Sequence, residues 1–143
     1  MVQNHIIETT IVPLTTDGFV LSPGQWQSQM YFTSDTQHTT PVPRIGTNIS
    51  GASLSFPLTS ASAFYIAGSV NANHGLFDVT ITPPLSAVVQ EYNGLSSWIG
   101  LNTTLYLATG LNRSQTYQVV LKNSGPAGLW LDTSDIVVYD TPP

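Results

Sequence analysis

The sequence contains no cysteine and few charged residues. Without cysteine, disulfide frameworks, cysteine-ligated zinc or iron–sulfur sites and thiol catalysis are all excluded. Only 8% of the 143 residues are charged, and Arg44, Arg113 and Lys122 face eight carboxylates, which gives a net charge of −5. A nucleic-acid-binding surface needs clustered Lys and Arg against phosphate, so this class is excluded, and docking to anionic lipid is disfavoured for the same reason.

The sequence also has no run of 18 apolar residues, so we expect no insertion into a membrane by this segment. Met1–His5 lacks the basic and apolar regions of a signal peptide. The low charge, the abundance of Ser and Thr, and N-x-[ST] sequons at Asn48, Asn102 and Asn112 nevertheless favour a secreted or cell-surface location. We therefore expect Met1 to precede a mature extracellular chain that is glycosylated at these asparagines.

Apolar residues alternate with polar ones along most of the chain, which is the pattern of strands with one solvated face. Alternation or β-rich composition predicts strands at Glu8–Val12, Phe19–Leu21, Trp26–Phe32, Ala52–Leu58, Phe77–Ile81, Leu105–Ala108 and Tyr117–Leu121. Two continuous apolar runs, Ala63–Ala67 and Ile136–Tyr139, predict strands that are covered on both faces.

Turn signals separate these runs, and ten Pro and eleven Gly leave no room for a long helix. We expect turns at Pro41-Val42-Pro43 and Asn73-His74-Gly75, and a loop or hairpin over Pro83–Gly100. About eight to ten short strands predict an all-β fold, an antiparallel β-sandwich of the jelly-roll type. The chain is predicted to be a single domain, 1–143, with its ordered core over about 8–140.

Several motifs follow one another in an order typical of one group of proteins. They are Gly51-Ala52-Ser53-Leu54-Ser55-Phe56 with Ala63-Phe64-Tyr65-Ile66-Ala67-Gly68, then Asn73-His74-Gly75-Leu76-Phe77-Asp78-Val79, then Thr116-Tyr117-Gln118-Val119-Val120-Leu121-Lys122-Asn123, and finally Leu129-Trp130-Leu131-Asp132 with Ile136-Val137-Val138-Tyr139. In this order the chain resembles the extracellular domains of fungal, mainly basidiomycete, surface proteins. The resemblance runs from Asp17 to Tyr139 and is loose over 31–40.

The resemblance implies a galactose-binding-domain-like jelly roll at a cell surface. Such jelly rolls bind sugars or protein surfaces, and many hold a structural calcium. The sequence has no calcium loop of the D-x-D-x-D-G type, and we expect no cofactor; a structural calcium held by backbone carbonyls and one Asp is the alternative that the sequence leaves open. The candidate oxygen ligands for calcium are Asp17, Asp35, Asp78, Glu91 and Asp140.

No catalytic pattern emerges from the sequence, and we expect no enzymatic activity. No G-x-S-x-G elbow is present, and the histidines His5, His38 and His74 lack metal-ligand spacing. Asp132 is interpreted as a turn or cap residue that accepts backbone N–H bonds, and no partner acid can be assigned to it.

Aromatic side chains outside the core pattern are the candidates for a sugar-binding site, because aromatic faces cover the apolar C–H faces of sugar rings. Tyr31 is out of phase with the apolar face of its strand, and Tyr92 and Trp98 lie in a polar stretch beside Asn93. These four residues, with His74 as a turn residue that reaches sugar hydroxyls, form the predicted ligand-binding set. The alternatives are that Tyr92 and Trp98 fill the core beneath their loop and that Tyr31 lies on a solvated face without a ligand. For His74 the other interpretation is an exposed turn residue without a function.

We therefore expect a noncatalytic, lectin-like carbohydrate-binding module whose partner is a glycan or a cell-wall polysaccharide. The alternative is a structural or adhesive ectodomain that makes protein contacts and has no sugar site. Sparse Lys leaves sheet edges poorly protected, so a homo-oligomer formed by sheet pairing is a further expectation.

Overall fold

The structure is a computed structural model that describes residues 6–11, 13, 18–31, 42–85 and 90–142, with the backbone alone for 29–31, 42–43 and 90. These residues form strands β1 (Ile7–Ile11), β2 (Val20–Leu21), β3 (Gln27–Tyr31), β4 (Val42–Thr47), β5 (Ser53–Leu58), β6 (Ala63–Val70), β7 (Leu76–Thr82), β8 (Gln90–Asn93), β9 (Gly100–Ala108), β10 (Tyr117–Asn123) and β11 (Leu131–Asp140). No helix that could cross a membrane occurs in the part of the chain described.

The strands pair antiparallel in two sheets, which confirms the predicted sandwich. One sheet has the order β3-β4-β11-β6-β9, with β1 paired to β11, and the other has the order β2-β5-β10-β7-β8. From β4 onward the chain passes between the sheets so that β4, β11, β6 and β9 face β5, β10, β7 and β8. Two such four-stranded layers are the arrangement of a jelly roll, so the predicted topology is also confirmed.

The core lies between the two sheets and follows the alternation read from the sequence. In β5, Leu54, Phe56 and Leu58 are buried while their neighbours are more exposed. The aromatic side chains predicted for the core, Phe56, Phe64, Phe77 and Tyr117, are all at most 6% exposed. Trp26 packs against this core partly buried, and its indole N–H donates to the carbonyl oxygen of Ser53 at 3.0 Å.

Strand β11 runs through the middle of its sheet. The predicted cover on both faces holds for Ile136 and Val137, which are 0% and 4% exposed, whereas Tyr139 is only half-buried. Its first residues pair with β4, its last residues pair with β1, and β6 lies along its other side. The strand begins at Leu131 rather than at Ile136 as predicted. Asp132 therefore lies within a strand and not in a turn or cap, although it accepts a backbone N–H, that of Ser69, as predicted.

Two strands escaped the pattern analysis. Strand β4 overlaps Pro41-Val42-Pro43, which we predicted as a turn. Pro43 lies in the part of β4 that β11 does not reach, because β11 pairs with β4 only from Ile45 onward, and it pairs with Met30 of β3 on the other side. Strand β8 lies inside Pro83–Gly100 and pairs with β7, so this region contains a hairpin.

Close contact between β6 and β11 requires a glycine at position 68. A Cβ atom there would meet the carbonyl oxygen of Asp132 and a methyl group of Leu105. The sheet is bulged at this point, because the pairing of β11 with β6 shifts between Thr133 and Asp135. Gly68 thus lets the two strands approach where the polar residues described below are held.

Candidate functional site

Loops from both sheets meet at one end of the sandwich. They are the segments 48–52, 71–75, 94–99 and 124–130, which connect β4 to β5, β6 to β7, β8 to β9 and β10 to β11. Backbone hydrogen bonds join them: Gly128 donates to Asn48 at 2.9 Å, Trp130 to Asn73 at 2.8 Å, and Asn71 to Gly94 at 3.1 Å. The end of the sandwich is therefore one continuous surface, which we call the loop end.

The segment 94–99 presents large apolar side chains to solvent at the loop end. Trp98 is 81% exposed, Leu95 59% and Ile99 53%. The backbone beneath them is fixed, because Ser96 N–H donates to Asn71 O at 3.0 Å and Gly94 N–H donates to Gly75 O at 2.9 Å. The structure thus places the indole of Trp98 on an anchored loop with its ring accessible.

Asn93 and Tyr92, the other predicted residues of this stretch, differ in burial. Asn93 is exposed at the end of β8, next to the loop, and its side-chain oxygen accepts the N–H of Leu95 at 2.9 Å. Tyr92 is half-buried and stacks on Phe77 with ring centroids 5.6 Å apart. A second ring contact, edge-on to Tyr106 at 5.7 Å, directs Tyr92 toward the core. The loop aromatic with a free face is therefore Trp98.

His74 is 2% exposed, so the interpretation as an exposed turn residue is wrong. Its Nε2 lies 2.8 Å from Oδ2 of Asp132, and its Nδ1 lies 3.0 Å from the side-chain oxygen of Asn73. The imidazole points inward beneath the loop end because the turn at 71–74 folds back against β11. In this position it fastens the turn to the sheet.

The carboxylate of Asp132 is the centre of a buried polar cluster that we call the Asp132 cluster. Besides His74, it accepts the N–H of Ser69 at 2.8 Å and a hydrogen bond from the Ser69 hydroxyl. Nη1 of Arg44 donates at 3.2 Å to Oδ1, the oxygen that also accepts the Ser69 N–H, and both side chains of this ion pair are fully buried. Buried charges require such partners, because an unpaired carboxylate in the core is strongly destabilising.

Ser69, His74 and Asp132 do not form a catalytic triad. In a triad the Ser hydroxyl bonds one imidazole nitrogen and the carboxylate bonds the other. Here Nε2 of His74 faces both partners, at 3.3 Å from Ser69 Oγ and 2.8 Å from Asp132. The hydroxyl of Ser69 donates to Asp132, and its residue is 2% exposed. This arrangement holds loops together and does not activate a nucleophile.

The remaining predicted ligands are dispersed. The side chain of Tyr31, and Asp17, Asp35, His5 and His38, lie outside the described residues. Within the described ranges, no group of three or more His, Asp or Glu side chains could hold a metal ion. Asp140 is held by the Arg113 guanidinium through bonds of 2.8 and 3.1 Å, which lower the pKa of this carboxyl.

Asp78 and Glu91 pair across β7 and β8 on the outer face of their sheet. Partial burial raises the pKa of the Asp78 carboxyl, and the Glu91 charge raises it further, while Lys122 lowers it. Lys122 lies directly opposite Asp78 in β10. The raised pKa thus follows from partial burial beside a second acid on a strand face.

The sequon asparagines lie in different environments. Asn102 and Asn112 are exposed, and Asn48 is half-buried at the loop end. The side-chain oxygen of Asn102 accepts the hydroxyl of Ser134 at 3.2 Å, and that of Asn112 accepts the N–H of Ser114 at 3.0 Å. Asn112 lies in the loop between β9 and β10, at the end of the sandwich away from Trp98.

The pattern analysis missed the Asp132 cluster, although two signals for it existed. Arg44 is one of only three cations in the chain, and it stands inside a strand next to Ile45. His74 and Asp132 belong to two of the motifs that carry the resemblance. A charge in a strand of such a charge-poor chain points to a buried partner.

Comparisons with known proteins bear on the fold. No protein-family model matches the chain. No curated protein matches it either. Among solved structures, a family two carbohydrate esterase from Cellvibrio japonicus superposes with a TM-score of 0.58 and 14% identity over 96% of this chain and 35% of that one. A two-domain esterase (CEX) active on acetylated mannans gives a TM-score of 0.58 and 7% identity over 96% of this chain and 37% of its own.

A smaller neighbour matches over nearly its whole length. The module CsCBM6-3 from Clostridium stercorarium, solved in complex with cellobiose, has a TM-score of 0.50 and 15% identity over 94% of each chain. The present chain spans only about a third of the length of each esterase. At these identities the comparisons show the fold alone, which is the jelly-roll sandwich also found in this carbohydrate-binding module.

Proposed function

We propose that the protein is a noncatalytic carbohydrate-binding module and that Trp98 is the centre of its sugar site. The observation that carries the proposal is the 81% exposure of this indole on a loop whose backbone is anchored to the neighbouring turn. Exposing a Trp costs stability unless the ring has a partner, and a preformed ring loses little conformational entropy on binding. The loop is therefore built to present the ring.

The chemistry of the loop fits a neutral sugar. The indole face covers the apolar C–H face of a sugar ring, and the Asn93 amide and the hydroxyls of Ser96 and Ser97 lie close in sequence to bond its hydroxyl groups. The net charge of −5 disfavours acidic ligands and does not affect the binding of neutral ones. Tyr31 stays a predicted member of this ligand set. His74 is not, because it is buried with both ring nitrogens bonded to Asp132 and Asn73, and it supports the site only by holding the turn beneath the loop.

The fold supports the same ligand class. CsCBM6-3, which shares the fold, was solved with cellobiose, and the esterase CEX acts on acetylated mannans. We infer from this a β-linked plant or cell-wall polysaccharide as the substrate class for binding. Structural calcium stays a prediction. Of its candidate ligands, Asp78, Glu91 and Asp140 belong to the described residues.

The setting we propose is outside the cell, at the surface of a fungus or in its secretions. The motifs that resemble fungal surface domains support it, and so do the sequons. A glycan on Asn112 would sit at the end away from Trp98 and leave the sugar site open. Asn48 and Asn102 are the other predicted acceptors.

The experiment is a glycan array combined with pull-down on insoluble β-glucan and chitin, each with and without calcium. We expect selective binding by the wild type that is lost in Trp98→Ala. The matched control is Val20→Ala, which shortens a side chain that is 65% exposed on β2, the strand at the opposite edge of the sheet from β8. Wild-type protein that binds no glycan at high concentration would overturn the proposal.

The second candidate function is adhesion through protein contacts. Leu95, Trp98 and Ile99 together expose an apolar patch, and contiguous patches of this kind also mark protein interfaces. This function predicts that Leu95→Ala and Ile99→Ala weaken a protein complex as much as Trp98→Ala does. A sugar site depends on the flat ring and predicts that the aliphatic changes matter little.

A further inference from the structure

We propose a second carbohydrate-binding surface on the outer face of the β3-β4-β11-β6-β9 sheet, formed by Tyr65 and Tyr139 and occupied by a neutral polysaccharide chain. The inference rests on the proposed function, because it assigns a second site for the same ligand class. It stands on observations that are independent of the Trp98 loop.

Register and burial place both tyrosines on the outer face. In β6, Phe64 and Ile66 are fully buried and turn inward, so Tyr65 between them turns outward. Tyr65 lies opposite Val137, and Tyr139 is two residues further along the same face of β11. The ring centroids are 6.2 Å apart with an interplanar angle of 38°, so the two rings form one shallow surface.

The rings of Tyr65 and Tyr139 lie against Val137 on the outer face of the sheet. Val137 belongs to the same outward face, yet it is only 4% exposed. Its neighbours on that face are Tyr65 directly opposite, Tyr139 and Asp135 along the strand and Thr10 across in β1. Since Thr10 is exposed and both Thr10 and Asp135 are short, we infer that the tyrosine rings supply most of this cover. Both tyrosines are half-buried, so part of each ring stays accessible to solvent for stacking against a sugar.

The rim of this surface is acidic and hydroxyl-rich. Glu8 lies opposite Tyr139 in β1, and Asp135 lies two residues before Val137. Partial burial raises the pKa of the Tyr139 phenol, and the Glu8 charge and a hydrogen bond with Tyr65 raise it further. The Tyr139 phenol thus stays protonated and donates to Tyr65, while the rim carboxylates accept hydrogen bonds from sugar hydroxyls.

These features select the occupant. Carboxylates on the rim repel phosphate, sulfate and uronic acid groups, whereas a neutral polysaccharide offers hydroxyl donors and flat C–H faces. The surface is also long enough for a chain, because Leu107, which is 58% exposed, extends it across β9 opposite Tyr65.

This surface is separate from the loop end. Strand β11 enters at the loop end through Leu131 and reaches Tyr139 eight positions later, where the carbonyl oxygen of Tyr139 accepts Ser62 N–H from the opposite end. At about 3.3 Å per residue, the tyrosine surface is roughly 25 Å from the loop end. Two sites this far apart can be removed one at a time.

The experiment is isothermal titration calorimetry with cellohexaose, laminarihexaose, chitohexaose and mannohexaose. We expect a hexasaccharide to bind the wild type at two sites, and Trp98→Ala and the double variant Tyr65→Ala/Tyr139→Ala to retain one site each. Loss of both rings should weaken the affected site at least about tenfold. Tyr65→Phe and Tyr139→Phe keep the rings and should retain the site.

The outcomes separate the two proposals. If Trp98→Ala alone abolishes all binding, the proposed function stands and the second surface is overturned. If the double tyrosine variant alone abolishes it, the second surface stands and the Trp98 site is overturned. No binding of any probe overturns both proposals. If the wild type binds no sugar at this face but self-associates, and the double tyrosine variant does not, the face binds a second copy of the chain and the second sugar surface is overturned.

Because truncating both rings uncovers Val137, the double variant could fail to fold. Backbone amide shifts of wild-type protein titrated with the same hexasaccharides provide the independent measurement. Shifts at Glu8, Val137 and Tyr139 in Trp98→Ala protein support the second surface, and shifts confined to the loop end in wild-type protein overturn it.

Discussion

The imidazole of His74 and the carboxylate of Asp132 meet at 2.8 Å across 58 positions of sequence. Both side chains are buried, at 2% and 0% exposure. One comes from the turn between β6 and β7 and the other from the central strand β11, so their contact joins the loop end to the middle of the sandwich. The anchored loop that presents Trp98 depends on this junction, because 94–99 is bonded to the same turn.

Asp132→Asn should destabilise the fold strongly, because it leaves the buried Arg44 guanidinium and His74 without their carboxylate. Breaking a buried ion pair in this way costs about 3–5 kcal/mol. Asp135→Asn, in the same strand but partly exposed, is the control and should stay within about 0.5 kcal/mol. Urea denaturation of the two variants measures both values, and similar losses would show that the Asp132 cluster has no special role.

His74→Gln should loosen the loop end more than the rest of the molecule. The amide protons of Ser96 and Asn71 are bonded across the two loops, and their hydrogen exchange should accelerate. Exchange in β10, which does not contact the turn through these bonds, serves as the internal reference. Uniform acceleration throughout the sandwich would mean that His74 contributes to global stability alone.

The alternation of apolar and polar residues was enough to predict the sandwich, since a strand with one buried face must repeat every two residues. It was not enough for β4, where Pro43 marks a turn in isolation yet lies in a strand, at a position that β11 does not reach. Such pairing limits are properties of the assembled sheet and do not appear in a local pattern.

The candidate site was partly predictable. A Trp in a polar stretch was compatible with a position beneath the loop or in solvent, and Trp98 is exposed. Tyr92, six residues earlier, gave the same local signal and packs on Phe77 instead, because β8 pairs with β7 and turns that ring inward. His74 looked like a surface residue since its partner Asp132 is distant in sequence. Tyr65 and Tyr139 stand in apolar runs, which concealed that they face outward.

Asp78→Asn should raise the melting temperature at about pH 7. Partial burial raises the pKa of Asp78, so the folded state binds this proton more tightly than the unfolded state, and stability falls as the pH rises through the window above the ordinary Asp value. At about pH 3 the wild-type carboxyl is protonated, and the difference should vanish. A variant that melts lower than wild type at pH 7 would show that attraction to Lys122 outweighs burial.

Arg113→Gln should have the opposite pH dependence. Hydrogen bonds from Arg113 lower the pKa of Asp140, so the pair stabilises the fold above the ordinary Asp pKa, and this contribution is lost as the pH falls through the lowered value. The variant should melt below wild type at about pH 7 and together with it at about pH 2. A constant difference at both pH values would instead indicate lost packing of the long Arg113 side chain.

The most direct test of the proposed sugar site is the affinity of Trp98→Ala for the glycan that wild-type protein selects on the array, measured beside Val20→Ala. We predict a dissociation constant at least about tenfold weaker for the Trp98 variant and unchanged for the control. Both should unfold within about 0.5 kcal/mol of wild type, because both side chains are mostly exposed. Equal affinity of Trp98→Ala and wild type for that glycan would contradict the assignment of the loop end as the sugar site.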